Sequence, residues 1–373
     1  MRIALLTEIP APFRLPLFGA LAAQPGVELH VLFLAANDPR RNYPRSETPF
    51  DAEVLRGKDA LVRNRWLVVN VGVLGRLRRL GPELVVVGGW NQPAFWQALL
   101  YARAARVPLV VWVESTARDE RAGRSPAELA KRAIVRSAAG FLVPGRAASE
   151  YVESLGVPPD RITIAPNAVD LRLFGEHVAK ERERREELRR ELGLDGCTFL
   201  CVSRLSPEKG VDVLAQAFDG VPGELVLVGD GPDRAKVEAL AGDRVRLVGR
   251  VDGDELLRWY AAADAYVMPS RSETWGMAMQ EAAAAGLPLI ATEAPGAGHD
   301  LIEEGVNGFR VPVEDVHALR RALVRVAQDE AFRERARERT LELSQGHTPE
   351  AWAAAFAELA RRLAAEVSGP SAE

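Results

Sequence analysis

The chain has 373 residues, enough for two ordinary domains, and it is 47% hydrophobic and 27% charged, the balance of a soluble protein with full cores. Its 48 basic and 52 acidic residues leave a net charge of −4, so composition gives no support for attraction to nucleic acid. The opening run Met1-Arg-Ile-Ala-Leu-Leu6 meets Glu8 and Pro10 too soon for a signal sequence or a membrane span, and a cytoplasmic location is the expectation.

Apolar runs at 3–6, 27–34, 66–69, 84–87, 109–113, 141–143 and 162–164 predict strands, and the stretches near 16–24, 93–106, 126–138 and 146–155 predict helices. Runs without polar alternation, separated by helices, describe a parallel sheet covered on both faces. One doubly wound domain is therefore expected to end near Pro166. The second half repeats the plan, with strands at 198–202, 225–228, 245–248, 265–268, 289–290 and 309–311. Its helices are expected near 210–219, 232–241, 253–262, 275–285 and 315–328. The mixed-charge run 180–191 reads as a solvated helix near the link between domains.

Cys197 and Cys201 would lie on one face of a strand about 13 Å apart at ~3.3 Å per residue, too far for a disulfide. They read as buried free thiols. The five histidines are scattered, none pairs at metal-ligand spacing, and no protein-borne metal or cofactor is expected. No G-x-G-x-x-G follows any strand, which disfavours an NAD enzyme.

The stretch 269–292, PSRSETWGMAMQEAAAAGLPLIAT, carries the most chemistry. Ser272, Glu273 and Thr274 read as a helix start, and Gly286 and Pro288 as its stop. A strand, a turn and a helix N-terminus make an anion site, because unpaired N–H groups and the dipole both face the ligand. Glu273 sits at the mouth and Glu281 eight residues on, roughly 12 Å along a helix at ~1.5 Å per residue. Thr274 and Glu281 are expected to share a face two turns apart. A ligand with hydroxyls at both ends and phosphates between them fits that span, and a nucleotide-sugar has that shape.

The segment SETWGMAMQEAAAAGLPLI resembles the E-x7-E segment of the family-4 retaining glycosyltransferases of the GT-B type, and the resemblance runs from about 165 to 313. It implies an α/β, GT-B fold: two doubly wound Rossmann-like domains facing across a cleft. These would be an acceptor-binding domain of 1–166 plus a C-terminal helix at about 350–373, and a nucleotide-sugar-binding domain of 167–349. The loop Ser203-Arg-Leu-Ser-Pro-Glu-Lys-Gly210 looks like the family's grip on the donor diphosphate, which assigns that role to Arg204 and Lys209. A fork-shaped guanidinium and a compact ammonium can together hold two phosphates. By the same resemblance Glu281 holds ribose hydroxyls, Glu273 a sugar hydroxyl, and the amides of Thr274, Trp275, Gly276 and Met277 the phosphate or sugar. The family places the turn Gly229-Asp-Gly-Pro232 under the donor, which makes Gly231 a lesser candidate, although a tight turn alone explains both glycines. Leu247-Val-Gly-Arg-Val251 resembles the loop against which the nucleotide base lies, so Arg250 and Val251 would offer backbone contacts to it.

Pro166-Asn-Ala-Val-Asp170 is similar to the family's Pro-Asn-Gly-Val-Asp, which brings in Asn167, with Ala168 replacing the glycine. The loop Gly296-Ala-Gly-His-Asp300 departs from the usual Gly-Gly-x-Pro-Glu, and His299 there could reach the sugar or simply be an exposed loop residue. In the first domain, three prolines stiffen the loop 7–16, and Gly88-Gly-Trp-Asn91 leaves room for an acceptor. Glu114 stands where many relatives place a His or Asp near the sugar, so it carries a candidate catalytic role.

The resemblance implies a retaining, metal-independent hexosyltransferase that uses a nucleoside-diphosphate sugar of the UDP or GDP type and a saccharide, lipid-linked or small-molecule hydroxyl acceptor. The rivals are a GT-B nucleotide-sugar epimerase and a non-catalytic nucleotide-sugar-binding protein. The basic stretches 75–79 and 131–136 could dock peripherally on anionic lipid, against the simpler reading of solvated helix faces.

Overall fold

A computed structural model describes residues 1–38, 48–62, 65–119, 126–168 and 171–368. The chain divides into two compact units. The first consists of Met1–Pro144, Ala148–Asn167 and the segment from Pro349; the second consists of Gly145–Ala147 and Ala168–Thr348.

The first unit opens with β1 (Arg2–Thr7), α1 (Leu15–Ala22), β2 (Glu28–Phe33), β3 (Asp51–Val54), β4 (Gly57–Val62) and β5 (Arg65–Asn70). It continues through α2 (Val73–Leu80), β6 (Leu84–Val87), α3 (Pro93–Ala105), β7 (Leu109–Trp112), α4 (Pro126–Ser137), β8 (Gly140–Val143), α5 (Arg146–Ser154) and β9 (Ile162–Ile164). Among the described residues its main sheet has seven parallel strands in the order β3-β2-β1-β6-β7-β8-β9. Strands β1, β6, β7 and β8 are buried almost throughout, as helices on both faces require. The strand order reverses direction between β1 and β6, which is where such sheets bind ligands.

One expectation fails here and one strand goes unpredicted, both for one reason. The run 66–69 belongs not to the parallel sheet but to an antiparallel hairpin in which β5 pairs with β4. Its burial alternates, with Trp66 and Val68 inside and Val69 outside, so a continuous apolar sequence misrepresents a half-buried strand. Conversely, β3 joins the parallel sheet beside β2. As an edge strand it is partly exposed, and its sequence DAEV carries no apolar run to reveal it.

The second unit begins with α6 (Leu171–Glu183), α7 (Arg185–Leu192), β10 (Thr198–Val202), α8 (Val211–Ala217), β11 (Glu224–Val228), α9 (Arg234–Leu240), β12 (Val245–Gly249) and α10 (Asp254–Ala262). It proceeds through β13 (Ala265–Met268), α11 (Met277–Ala284), β14 (Leu289–Thr292), α12 (Gly298–Leu301), β15 (Gly308–Val311), α13 (Val316–Gln328) and α14 (Glu330–Ser344). The parallel order among the described residues is β12-β11-β10-β13-β14-β15, with its reversal between β10 and β13.

The run 180–191 is not a uniformly solvated helix. It breaks at Arg184, and in α7 Leu188 and Arg189 are buried. Arg185 and Arg189 reach Asp264 at 2.6 and 3.1 Å, tying this charged helix to the start of β13. Both cysteines are free, and burial pushes each thiol up to about 12.

The last helix, α15 (Pro349–Ser368), packs in the first unit on α1, β8 and β9. Trp352, fully buried, anchors it: its ring lies 5.3 Å from Trp112 and 6.1 Å from Phe18. Among the described residues, no helix is long and apolar enough to cross a membrane.

Candidate active site

In the second unit the loops leaving β10 and β13 emerge on either side of the strand-order reversal. From β10 comes Lys209, in a single turn of 3-10 helix at Pro207–Lys209. From β13 comes Glu273. Both side chains are part-buried, and the Lys209 ammonium donates directly to the Glu273 carboxylate. The backbone reinforces this, because the N–H groups of Arg271 and Ser272 donate to the Glu208 carbonyl at 2.9 and 3.2 Å. A cation and a carboxylate from adjacent strands thus meet where an open parallel sheet accepts ligands.

Arg204 is exposed at the mouth of the same loop and its guanidinium donates to Glu208. Gly231 is pressed against this loop from the β11 side. A Cβ there would lie 2.2 Å from the Leu205 carbonyl, so close packing of two backbones accounts for the glycine.

The helix after β13 starts later than the sequence suggests. Helix α11 begins at Met277, with Gly276 before it at φ 109°. Glu273, Thr274 and Trp275 lie in the preceding loop, so Thr274 and Glu281 do not share a helix face two turns apart. The helical distance between Glu273 and Glu281 does not apply either. Short polar residues read as a cap when no backbone is visible, whereas here the left-handed glycine sets the first turn. Thr274 is exposed. Trp275 is buried, and its Nε1 donates to the buried Gln280 at 2.7 Å, so its ring supports the loop from behind. Met277 is half-buried against the same apolar cluster as Val251. Arg250 is exposed and pairs with Asp252 at 3.3 Å.

Glu281 is half-buried on α11 and accepts a hydrogen bond from the Tyr260 hydroxyl at 2.7 Å. Burial pushes its carboxyl up to about 7, against the lowering effect of that hydrogen bond. Tyr260, fully buried on α10, has its own hydroxyl pushed well up by burial and by the neighbouring carboxylate. Sequence reading misses Tyr260, because one aromatic on an amphipathic helix has no signature beyond core. His299 turns onto the Glu293 carbonyl through Nε2 (3.2 Å) and onto Arg310 through Nδ1 (3.4 Å), so both ring nitrogens are engaged within the unit.

In the first unit Glu114 follows β7 and is paired with Arg14 at 2.6 Å. Arg14 also donates to Thr7 at 3.0 Å, and its guanidinium lies 4.7 Å from the Trp112 ring centre. Asn167, buried, donates to the other oxygen of Glu114 at 3.5 Å. Arg14 sits inside the proline-rich loop that the sequence marks but goes unremarked there. It turns Glu114 into half of an ion pair at the end of the sheet. Val169 and Asp170 of the 166–170 motif lie outside the described residues. Lys131 does not belong to a solvated basic face: it is 5% exposed and sits 5.0 Å from the Tyr151 ring centre and 5.7 Å from that of Trp90.

Comparison with known proteins adds to this geometry. A model of "Glycosyltransferase Family 4" matches residues 17–173 and one of "Glycosyl transferases group 1" matches 196–329. The alpha-D-kanosaminyltransferase of Streptomyces kanamyceticus is 32% identical over 282 residues, spanning 70% of this chain and 72% of that protein. The chain belongs to glycosyltransferase family 4. Another family-4 relative, the D-inositol 3-phosphate glycosyltransferase of Xylanimonas cellulosilytica, is 32% identical over 251 residues; the match covers 61% of this chain and spans 60% of that relative's length. Among solved structures, Anabaena HepE in complex with UDP matches 97% of this chain and all of its own at a TM-score of 0.75 and 21% identity. The fold of this family-4 chain is GT-B.

Proposed function

We propose that the chain moves a hexose from a nucleoside-diphosphate sugar of the UDP or GDP type to a hydroxyl of a saccharide, lipid-linked or small-molecule acceptor, with retention and without a protein-bound metal. The observation that carries this reading is the meeting of Lys209 and Glu273 at the β10/β13 reversal, with Glu281 on the helix that follows. A donor diphosphate entering there exchanges the Lys209–Glu273 contact for two better ones: the ammonium takes the phosphates and the carboxylate a sugar hydroxyl. Arg204 is long and exposed enough to leave Glu208 and close on the same phosphates. Charge developing on the departing diphosphate is then stabilised by cations already in place. Glu281 receives the ribose hydroxyls. That Anabaena HepE was crystallised with UDP supports this class of donor.

The test is a thermal-shift panel of nucleoside diphosphates and their sugars. A ligand bound only by the folded chain at a hundred times its Kd stabilises it by about 2.7 kcal/mol. We expect one base to raise the melting temperature clearly, and a flat panel would refute the reading. Consumption of the donor without any acceptor would instead indicate an epimerase, and binding with no turnover a non-catalytic protein.

A specific observation also favours contact with an anionic membrane, through the hairpin more than through α4. In β4 and β5 the alternation turns Trp66 and Val68 inward and leaves Arg56, Lys58 and Ala60 on the outer side with Val69 and Val71. Val54, Val69 and Val71 are 49%, 56% and 68% exposed. The nearest acid on these strands, Asp59, belongs to the other face and accepts from Trp66 Nε1 at 2.9 Å. Exposed valines among cations suit an interface of apolar chains and anionic headgroups. Flotation with vesicles containing phosphatidylglycerol should carry the protein, and vesicles of phosphatidylcholine alone should not. Val69→Glu with Arg56→Glu should abolish flotation. Equal behaviour of the double variant and the native chain would eliminate this surface.

A further inference from the structure

Arg271 lies two residues before Glu273, and Asp212 three residues after Lys209. The Arg271 guanidinium forks onto the Asp212 carboxylate at 2.8 and 2.9 Å and also donates to the Pro207 carbonyl at 2.6 Å. Asp212 stands in the first turn of α8 with its side chain 6% exposed, and takes a further hydrogen bond from Lys236 of α9 at 2.7 Å. The Arg271 Nε donates to Glu314 in the turn after β15. Glu314 itself has φ 64°, a conformation that residues other than glycine rarely adopt.

Isolated exposed ion pairs contribute little. This one differs in three ways: the carboxylate is buried, the pairing is a planar two-bond fork, and the same guanidinium holds a backbone carbonyl of the Lys209 loop. Burial alone would push the Asp212 carboxyl up, yet the hydrogen bonds from Arg271 and Lys236 hold it well below the usual carboxylate range. The grouping touches neither the Lys209 ammonium nor the Glu273 carboxylate. It fixes the two loops that bear them.

We propose that Arg271 and Asp212 are positioning residues that clamp the loop carrying Lys209 to the loop carrying Glu273, so that the donor meets a preformed cation and carboxylate. The proposal rests on the donor site described under Proposed function. Preformed geometry matters because a displacement of about 1 Å in a positioned group can cost ~100-fold in rate. Lysine at 271 would keep the charge but lose the fork, and so should not substitute for arginine.

Two measurements on the full chain test this. The first uses no ligand: hydrogen exchange of the backbone amides 206–210 in Arg271→Met and Arg271→Lys. We expect at least tenfold faster exchange confined to this loop and residues 270–276, with the strand amides unchanged. Native exchange rates in the loop of both variants would overturn the clamp. Should Arg271→Met fail to fold, the isosteric Asp212→Asn takes its place. The second is a double-mutant cycle on kcat/KM for the nucleotide-sugar. Arg271→Met should lower it ten- to a hundredfold in the native background and at least threefold less than that once Lys209 is alanine. Equal losses in both backgrounds would also overturn the proposal. A native chain that binds no nucleotide-sugar refutes the donor site instead, and the exchange experiment then decides the clamp alone.

Discussion

Replacing Lys209 with alanine is expected to lower kcat with the nucleotide-sugar by about two to three orders of magnitude, the range seen when one preorganised donor to a developing negative charge is removed. The ammonium is part-buried, held on the Glu273 carboxylate and carried on a turn whose amide donates to the Ser206 carbonyl at 2.9 Å. It is in position before the donor arrives, so its contribution falls on the transition state, where the diphosphate gains charge. A neutral hydroxyl acceptor makes no direct use of it. The KM for the acceptor should therefore move by less than about threefold, and steady-state kinetics with each substrate varied separately gives both numbers. A variant with native kcat would mean that the diphosphate lies elsewhere. Arg204→Ala should cost less, because that side chain is exposed and must leave Glu208 before it can close.

Glu281→Gln should weaken nucleotide-sugar binding by roughly tenfold to a hundredfold, since hydrogen bonds to a charged acceptor contribute about 1.5–3 kcal/mol. The same substitution should change the response to pH. Burial raises the Glu281 carboxyl to about 7, so below that pH the unliganded chain holds it as the neutral acid. As a neutral acid it offers one hydroxyl and weaker acceptors, whereas the carboxylate accepts from both ribose hydroxyls. Affinity should then rise as pH increases through about 7 and level off above it, and the Gln variant should show a flat profile. A nucleoside-diphosphate sugar is the right probe, because its phosphates have no terminal ionisation in this window. The sign for folding is the reverse. The unfolded carboxyl ionises at about 4.3 and the folded one near 7, so the unfolded state binds fewer protons between them and stability falls as pH rises across that interval. Titration calorimetry and urea midpoints from pH 5 to 8 would test the two trends together. Parallel trends in the native and Gln proteins would remove Glu281 from the site.

The parallel sheets are legible because buried strands such as 84–87 and 265–268 are unbroken apolar runs, a property of position between two helical layers. The hairpin and the edge strand β3 are not, because each meets solvent on part of its surface and burial no longer dictates composition. In the candidate site, Lys209, Glu273 and Glu281 are visible through their spacing and the resemblance it carries. Tyr260 and Asp212 escape notice for another reason. Their roles come from partners 21 and 59 residues away in sequence, Glu281 and Arg271, and no local pattern marks such a pair. Arg271 lies inside the most informative stretch of the chain, yet nothing in its neighbours foretells that its fork faces Pro207 and Asp212. The sequence places the start of α11 too early because Ser, Glu and Thr favour helix ends in general, while the left-handed Gly276 decides where this one begins.

The return of α15 to the first unit has a consequence for synthesis. Trp112 and Phe18 find their partner Trp352 only once the residues from 349 on have left the ribosome. Until then the N-terminal half presents an open apolar slot, while everything from β10 to β15 can already close its own sheet. Completion of the first unit therefore waits until the whole of the second has been translated, and a nascent chain stalled before residue 349 is expected to leave that apolar surface uncovered.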